Sequence, residues 1–164
     1  MKIGFRKAGV KDLRRLNEIV NDSKTARYLN VLLPVSLNST KHFYNQHKKG
    51  RGFFYCILAD SKIAGSLSIR FGRKDSKQAH LAEFGLCVAR EYQGMGLGGK
   101  AIDFIIKQAR KNKIKRVDFE VVACNKKAVK LYEKKGFKKE GVKKKSFKIG
   151  SKYPSTIVMA RLLK

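Results

Sequence analysis

The chain has 164 residues, 43% of them hydrophobic and only two of them proline, which suits one domain with a packed core and excludes disorder over most of its length. Lys and Arg number 39 against 12 acids, a formal net charge of +27 that favours anionic partners such as nucleic acid, the ribosome, acidic proteins or phosphorylated cofactors. A general lysine bias of the proteome gives the same excess with no partner at all, and no apolar run approaches the ~18 residues of a membrane helix.

Lys2–Lys7 alternates as a strand does, and Met1–Arg6 lacks the apolar core of a signal peptide, so a cytoplasmic protein is expected. Lys11–Val20 follows with Leu13, Leu16, Ile19 and Val20 at helical spacing, behind Gly9 as a weak N-cap. Asn21–Pro34 reads as a loop with Tyr28, Leu29, Leu32 and Leu33 as apolar anchors. Ser36 is placed to cap a short helix to Lys48, which Lys49-Gly50 stops. Gly52–Ala59 and Lys62–Phe71 read as two strands of a hairpin turning at Asp60-Ser61. A polar loop, Gly72–Lys77, leads to the strand Ala79–Val88, a glycine-rich loop and an amphipathic helix, Leu97–Lys111, with Ala101, Ile102, Ile105, Ile106 and Ala109 on one face. Lys115–Ala123 is a strand, placed parallel to the earlier one by the right-handed crossover rule. Asn125 caps the next helix, which Lys134-Lys135-Gly136 ends, and Phe137–Lys144 and Tyr153–Leu163 are two more strands. The order β-α-α-β-β-β-α-β-α-β-β predicts one α/β (α+β-like) domain over residues 1–164, a mixed central sheet of about seven strands flanked by about four helices. Cys56, Cys87 and Cys124 are expected to be reduced core residues, and they have no metal-ligand spacing.

The loop Gln93-Gly94-Met95-Gly96-Leu97-Gly98-Gly99-Lys100 is the most informative stretch. Glycines between a strand and a helix let backbone N–H groups approach a ligand, and the helix N-terminus favours a phosphate or pyrophosphate. Gly94…Gly99-Lys100 has P-loop spacing, but Ala101 stands where a Ser or Thr must hold Mg²⁺. Gly94-x-Gly96-x-x-Gly99 fits the dinucleotide fingerprint, with Asp118 or Glu120 near the distance of a ribose contact, yet only one βαβ unit fits around the loop. Gln93-x-x-Gly96-x-Gly98 is the third reading, and it resembles the acetyl-CoA pyrophosphate loop of the GNAT superfamily of N-acetyltransferases. A glycine-rich turn that merely packs a helix against a strand is the structural alternative.

Asn125-Lys126-Lys127-Ala128-Val129-Lys130-Leu131-Tyr132-Glu133-Lys134-Lys135-Gly136-Phe137 resembles that family's Asn-x-x-Ala-x-x-Leu-Tyr-x-x-x-Gly-Phe signature, at the expected distance after the loop. Ala59–Gly65 is similar to its second hairpin turn, and Phe5–Leu13 to its first strand and helix. The tail Glu140-Gly141…Lys152-Tyr153…Met159-Ala160 resembles the branch of ribosomal-protein alanine and amino-sugar acetyltransferases, although Pro154-Ser155 replaces an Asp common there. The resemblance implies acetyl-CoA as co-substrate, with its pyrophosphate on Gln93–Lys100. It also implies that the pantetheine arm lies between two parallel strands that splay apart, near Leu86-Cys87-Val88 and Asn125.

Acetyl transfer to an amine needs a neutral amine, stabilisation of the tetrahedral oxyanion and a proton for the thiolate. Tyr132 matches the family's thiolate acid and the Val88 N–H its oxyanion donor, while a core aromatic is the other reading of Tyr132. Glu83, in phase with Leu81, Gly85 and Cys87, matches a strand glutamate used as base, and a carboxylate in so apolar a strand is costly unless paired or functional. A salt bridge to a nearby cation explains Glu83 as well, and His42, His47 and His80 are weaker candidates. The expected acceptor is a protein N-terminal or lysine amine, or a small amine; specificity falls to Asn21–Ser36 and Lys143–Tyr153. A non-catalytic CoA- or nucleic-acid-binding module is the alternative. Lys107–Lys148 holds 17 Lys or Arg against 4 acids, a basic surface for nucleic acid or the ribosome. No membrane partner is expected, and the chain is expected to be a monomer or homodimer.

Overall fold

The computed structural model describes residues 1–49 and 51–164; the expected stop at Gly50 lies outside them. Among the described residues there is one seven-stranded mixed sheet: β1 (Ile3–Lys7), β2 (Gly52–Ala59), β3 (Lys62–Phe71), β4 (Leu81–Val88), β5 (Arg116–Val122), β6 (Lys138–Lys143) and β7 (Thr156–Leu162), in the order β1-β2-β3-β4-β5-β7-β6. Only β4 and β5 are parallel neighbours, as the crossover through a helix requires. Among the described residues the α-helices are α1 (Leu13–Asn21), α2 (Ser23–Ala26), α3 (Leu37–Lys49), α4 (Leu97–Lys111) and α5 (Lys126–Lys134), so the four expected helices are joined by one extra turn, α2.

Local chemistry accounts for the ends. Asp60 and Ser61 both have positive φ (44° and 68°), the conformation a two-residue hairpin turn demands. Ser36 Oγ accepts the Ser39 N–H at 3.0 Å at the head of α3. Gly9 does precede the first helical turn, but the capping is done by Asp12, whose Oδ2 accepts the Gly9 N–H at 2.7 Å while Arg6 grips both carboxylate oxygens at 2.7 and 3.0 Å. Asn21–Pro34 is not all loop: Asp22 accepts the Thr25 N–H at 2.7 Å and starts α2. The tail strands are shorter than expected, because residues 144–155 fold as a hairpin arm between β6 and β7 with Ile149 and Lys152 paired near its tip.

The sheet separates two apolar layers. On one side α4 and α5 pack Ile102, Ile105, Ala109 and Val129 against Ile57, Leu67, Ile69, Val117 and Met159. On the other, Leu13 and Leu16 of α1 meet Cys56, flanked by Phe54, Leu58 and Tyr44. Helices α1 and α3 lie on β2, β3 and β4, which leaves this second face open over β5, β7 and β6.

Candidate active site

β4 and β5 pair only at Leu81↔Arg116, Ala82↔Val117 and Glu83↔Asp118. Beyond these, β4 stays on β3 to Val88 and β5 stays on β7 to Val122, so the two part and a rift opens between them. Ala89 N–H bonds back to Ala64 O at 2.8 Å, and Ala123 N–H to Ser155 O at 2.9 Å. Successive residues of a strand face opposite sides, so Leu86 and Val88 turn their backbone groups into the rift from β4, and Glu120 and Val122 from β5. Val88 O receives Gln93 Nε2 at 3.0 Å, which fixes the Gln93 side chain beside the rift. The Val88 N–H points the same way as its carbonyl. Backbone groups so placed need partners, and an extended chain with amide groups of its own would supply them.

The rift ends at the glycine loop, and the structure divides the glycines by purpose. Gly94 and Gly96 have φ of 82° and 83°, and a Cβ built on either would meet nothing within 4 Å. Glycine is needed there for the left-handed backbone, and the space beyond it is open. Gly96 is the N-cap of α4, and only Lys100 N–H bonds back to it, at 3.2 Å. The earlier N–H groups of α4 therefore have no intrahelical acceptor, which suits a pyrophosphate. Gly98 and Gly99 serve packing instead: their Cβ positions lie 3.1 Å from Leu131 Cδ2 and 3.4 Å from Lys135 Cε, so they let α5 close onto α4. Leu97 is buried core, while Met95 and Lys100 are exposed.

Behind the rift stands Tyr132. Its ring centroid is 4.3 Å from that of Phe119, 5.9 Å from Phe84 and 6.0 Å from Phe137. This aromatic wall desolvates the phenol and pushes its pKa up to about 12. Asn125, at the head of α5, caps the helix by accepting the Ala128 N–H at 3.3 Å.

On the open face the carboxylates differ from expectation. Glu83 is not a costly charge in an apolar setting: its side chain is 61% exposed and pairs at 3.1 Å with Arg70, its direct neighbour on β3, because no helix covers β4 there. Sequence reasoning did not place Glu120 in this group. It lies on β5 past the parting, on the same face as Glu83, and accepts Thr156 Oγ1 at 2.9 Å and the Lys143 ammonium. Lys143 and then Thr156 hold its carboxyl below the usual range. The alternation Val117-Asp118-Phe119-Glu120-Val121 was the signal that could have found it. A cleft of about 530 Å³ opens between the α1–α2 corner and the turn after β4, lined by Arg15, Glu18, Asp22, Thr25, Arg90 and Glu91 among others. Arg15 bridges Glu18 at 3.3 Å and Glu91 at 2.7 Å.

Cys87 lies on the face of β4 toward this cleft, its thiol pushed up to about 12 by burial and then by Asp22. Cys124 is exposed, against expectation, because β5 ends at Val122 and leaves it in a turn. His80 precedes β4 at the end away from Val88; His42 and His47 belong to α3, where His47 Nδ1 and Phe43 O lie 2.9 Å apart. None of the three stands at the rift.

Residues 13–137 match the profile of the Acetyltransferase (GNAT) family. The L-amino acid N-acetyltransferase AaaT of Escherichia coli (strain K12) is 29% identical over 108 residues, which is 65% of this chain and 65% of that protein, so less than two thirds of the relative is spanned. Among solved structures, a ribosomal-protein-alanine N-acetyltransferase from Brucella melitensis superposes with a TM-score of 0.86 at 21% identity, over 98% of this chain and 99% of that one. A spermidine N-acetyltransferase from Vibrio cholerae, in complex with CoA and spermine, gives 0.81 at 24% identity, over 98% and 95% of the two chains. At these identities the structural likeness speaks for the fold.

Proposed function

The chain belongs to the GNAT acetyltransferase family, and from that premise we propose that it is an N-acetyltransferase moving the acetyl group of acetyl-CoA to a primary amine of a protein N-terminus or a lysine. The observation that carries the reading is the rift: two parallel strands that part after three residue pairs, beside a glycine loop with open space over Gly94 and Gly96. Acetyl-CoA supplies the activated acetyl thioester.

This chain's residues would act as follows. Amides of Gly94–Gly99 and the start of α4 hold the pyrophosphate, with Lys100 adding charge from the first turn. Leu86 and Val88 offer backbone groups to the pantetheine arm and Asn125 its side-chain amide from the opposite side, while Cys87, expected to join them, is paired through its backbone with Ser66 of β3 and turns its side chain out of the rift. The Val88 N–H faces the carbonyl oxygen on which negative charge develops. Tyr132 hands its proton to the departing sulfur; with its pKa at about 12 it keeps that proton through the working range. The same aromatic wall that raises the phenol also disfavours a bare thiolate, which brings donor and acceptor closer in proton affinity. Glu83, open to water on the acceptor side, takes the amine proton through solvent, and Glu120 holds the far side of the entrance.

A second reading of the acceptor, a free amino acid, draws support from the cleft beside Asp22, which offers both Arg and carboxylate groups to a zwitterion. Radiolabelled acetyl-CoA with N-terminal peptides, lysine peptides, amino acids and polyamines tests the assignment. Label transferred to a peptide amine supports it. Tight acetyl-CoA binding with no amine labelled would reduce the protein to a CoA-binding module, and a thermal shift with NAD or ATP but none with acetyl-CoA would remove the co-substrate.

A further inference from the structure

We infer that the arm between β6 and β7 selects acceptors that carry carboxylates close behind the reacting amine, namely acidic peptide segments. The inference rests on the acetyl-transfer reading.

The arm, residues 144–155, is an ordered structure. Ser146 Oγ accepts the Thr156 N–H at 3.0 Å and donates to Lys143 O at 2.8 Å. Phe147 N–H reaches Pro154 O at 3.1 Å, and Ile149 and Lys152 exchange hydrogen bonds of 2.9 and 3.0 Å. Its root is fixed beside the rift, since Thr156 holds Glu120 and Ser155 O receives the Ala123 N–H. Because β7 runs antiparallel to β5, the arm stands at the end of the sheet where Val88, Val122 and Asn125 lie.

Its charge is one-sided. Lys144, Lys145, Lys148 and Lys152 are exposed, and no acidic residue follows Glu140 in the chain. Among the described residues these four make no ion pair, whereas Lys139 is tied to Glu133 and Lys143 to Glu120. Four unneutralised ammonium groups beside the entrance repel a protonated acceptor and favour the neutral amine that attack requires. They equally attract anions set back from that amine. From the root at Lys143 to Ile149 the arm extends at most about 20 Å, the length of about six extended residues, so it matches carboxylates in the first few positions of a peptide.

Nucleic acid fits less well. A single-strand site combines cations with a row of stacking aromatics, and the exposed aromatic of the arm is Tyr153 alone. The partner must also present a nucleophilic aliphatic amine to Val88, which nucleobases lack.

The test compares peptides with one N-terminal residue and Asp, Gln or Lys at positions three to five. The expected kcat/KM for the Asp peptide is about tenfold above Gln, mainly through KM, with the gap closing as salt rises. Lys144→Gln/Lys145→Gln/Lys148→Gln/Lys152→Gln should abolish the gap while keeping acetyl-CoA affinity and kcat on the Gln peptide. Fluorescence anisotropy of the Asp peptide on the CoA complex reads the same contact without turnover. Equal Asp and Gln peptides, or a gap that survives the fourfold variant, overturns the inference while the acetyltransferase reading stands. Free glutamate preferred over every peptide, or a short RNA that binds the arm without competing with the Asp peptide, overturns the peptide as its occupant. Failure to acetylate any amine, with acidic-peptide binding intact, would instead sink the enzymatic reading.

Discussion

Gly96→Glu isolates the loop's part in binding. At φ 83° any side chain is strained, at about 1–2 kcal/mol for an L-residue. A Cβ there meets nothing within 4 Å, so no clash adds to that cost. A domain with ~5–15 kcal/mol of stability survives it. The new carboxylate enters the space assigned to the pyrophosphate. Two like charges ~5 Å apart at an effective dielectric of ~20 repel by about 3 kcal/mol, or about a hundredfold in affinity. Gly96→Gln carries the same strain and bulk without the charge, so the difference between the two variants is the electrostatic part. Calorimetric titration of CoA into both, with thermal melts to confirm folding, reads it. Glu and Gln variants that bind CoA equally, both folded, would show that the pyrophosphate lies elsewhere.

Tyr132→Phe should leave CoA affinity unchanged and lower the single-turnover rate by about 10²–10⁴-fold; a full rate excludes Tyr132 as the acid. In the wild type, a phenol held at about 12 predicts a kcat that rises with pH as the amine deprotonates and shows no fall below about pH 10, where an ordinary tyrosine would already be titrating. Glu83→Gln should cost most at low pH, where the amine most needs a base, and a pH–rate profile parallel to wild type would assign that step to solvent. Asp12, 4% exposed, is held below its ordinary pKa chiefly by Arg6 and, against the pull of burial, also by the Gly9 N–H. Its stabilisation is therefore full above about pH 4 and lost as pH falls through the depressed value. Asp12→Ala should cost about 2 kcal/mol in urea denaturation at pH 7, below the usual loss for a buried pair because Arg6 is 42% exposed, and should flatten the acid limb.

Much of this fold was legible because its punctuation is local. The bounds Leu97–Lys111 follow from a glycine entry and an unbroken apolar stripe, and Asn125 and Gly136 mark both ends of α5. Ser23–Ala26 was missed because a single turn carries no periodicity. The strand read as starting at Tyr153 starts at Thr156, since alternation continues into the arm and only pairing with β5 sets its limit. At the site, spacing could not tell Gly94 and Gly96, which are set by φ, from Gly98 and Gly99, which are set by Leu131 and Lys135. Period-two alternation assigned Glu83 a face but not whether a helix covers that face, so its exposure and its Arg70 partner were invisible. Glu120 owes its place to residues 23 and 36 positions away, a distance no local pattern spans.

The parting of β4 and β5 also makes the sheet two slabs, β1–β4 and β5–β7–β6, stitched by three residue pairs and the helices behind them. With acetyl-CoA in that seam, the co-substrate stands in for the missing stitches. Opening the slabs must then first expel it, and protease has less open chain to cut when thioester is plentiful. Resistance to limited proteolysis should therefore rise with the concentration of CoA or acetyl-CoA, and fragments cut in their absence should begin or end at the loops that flank the seam.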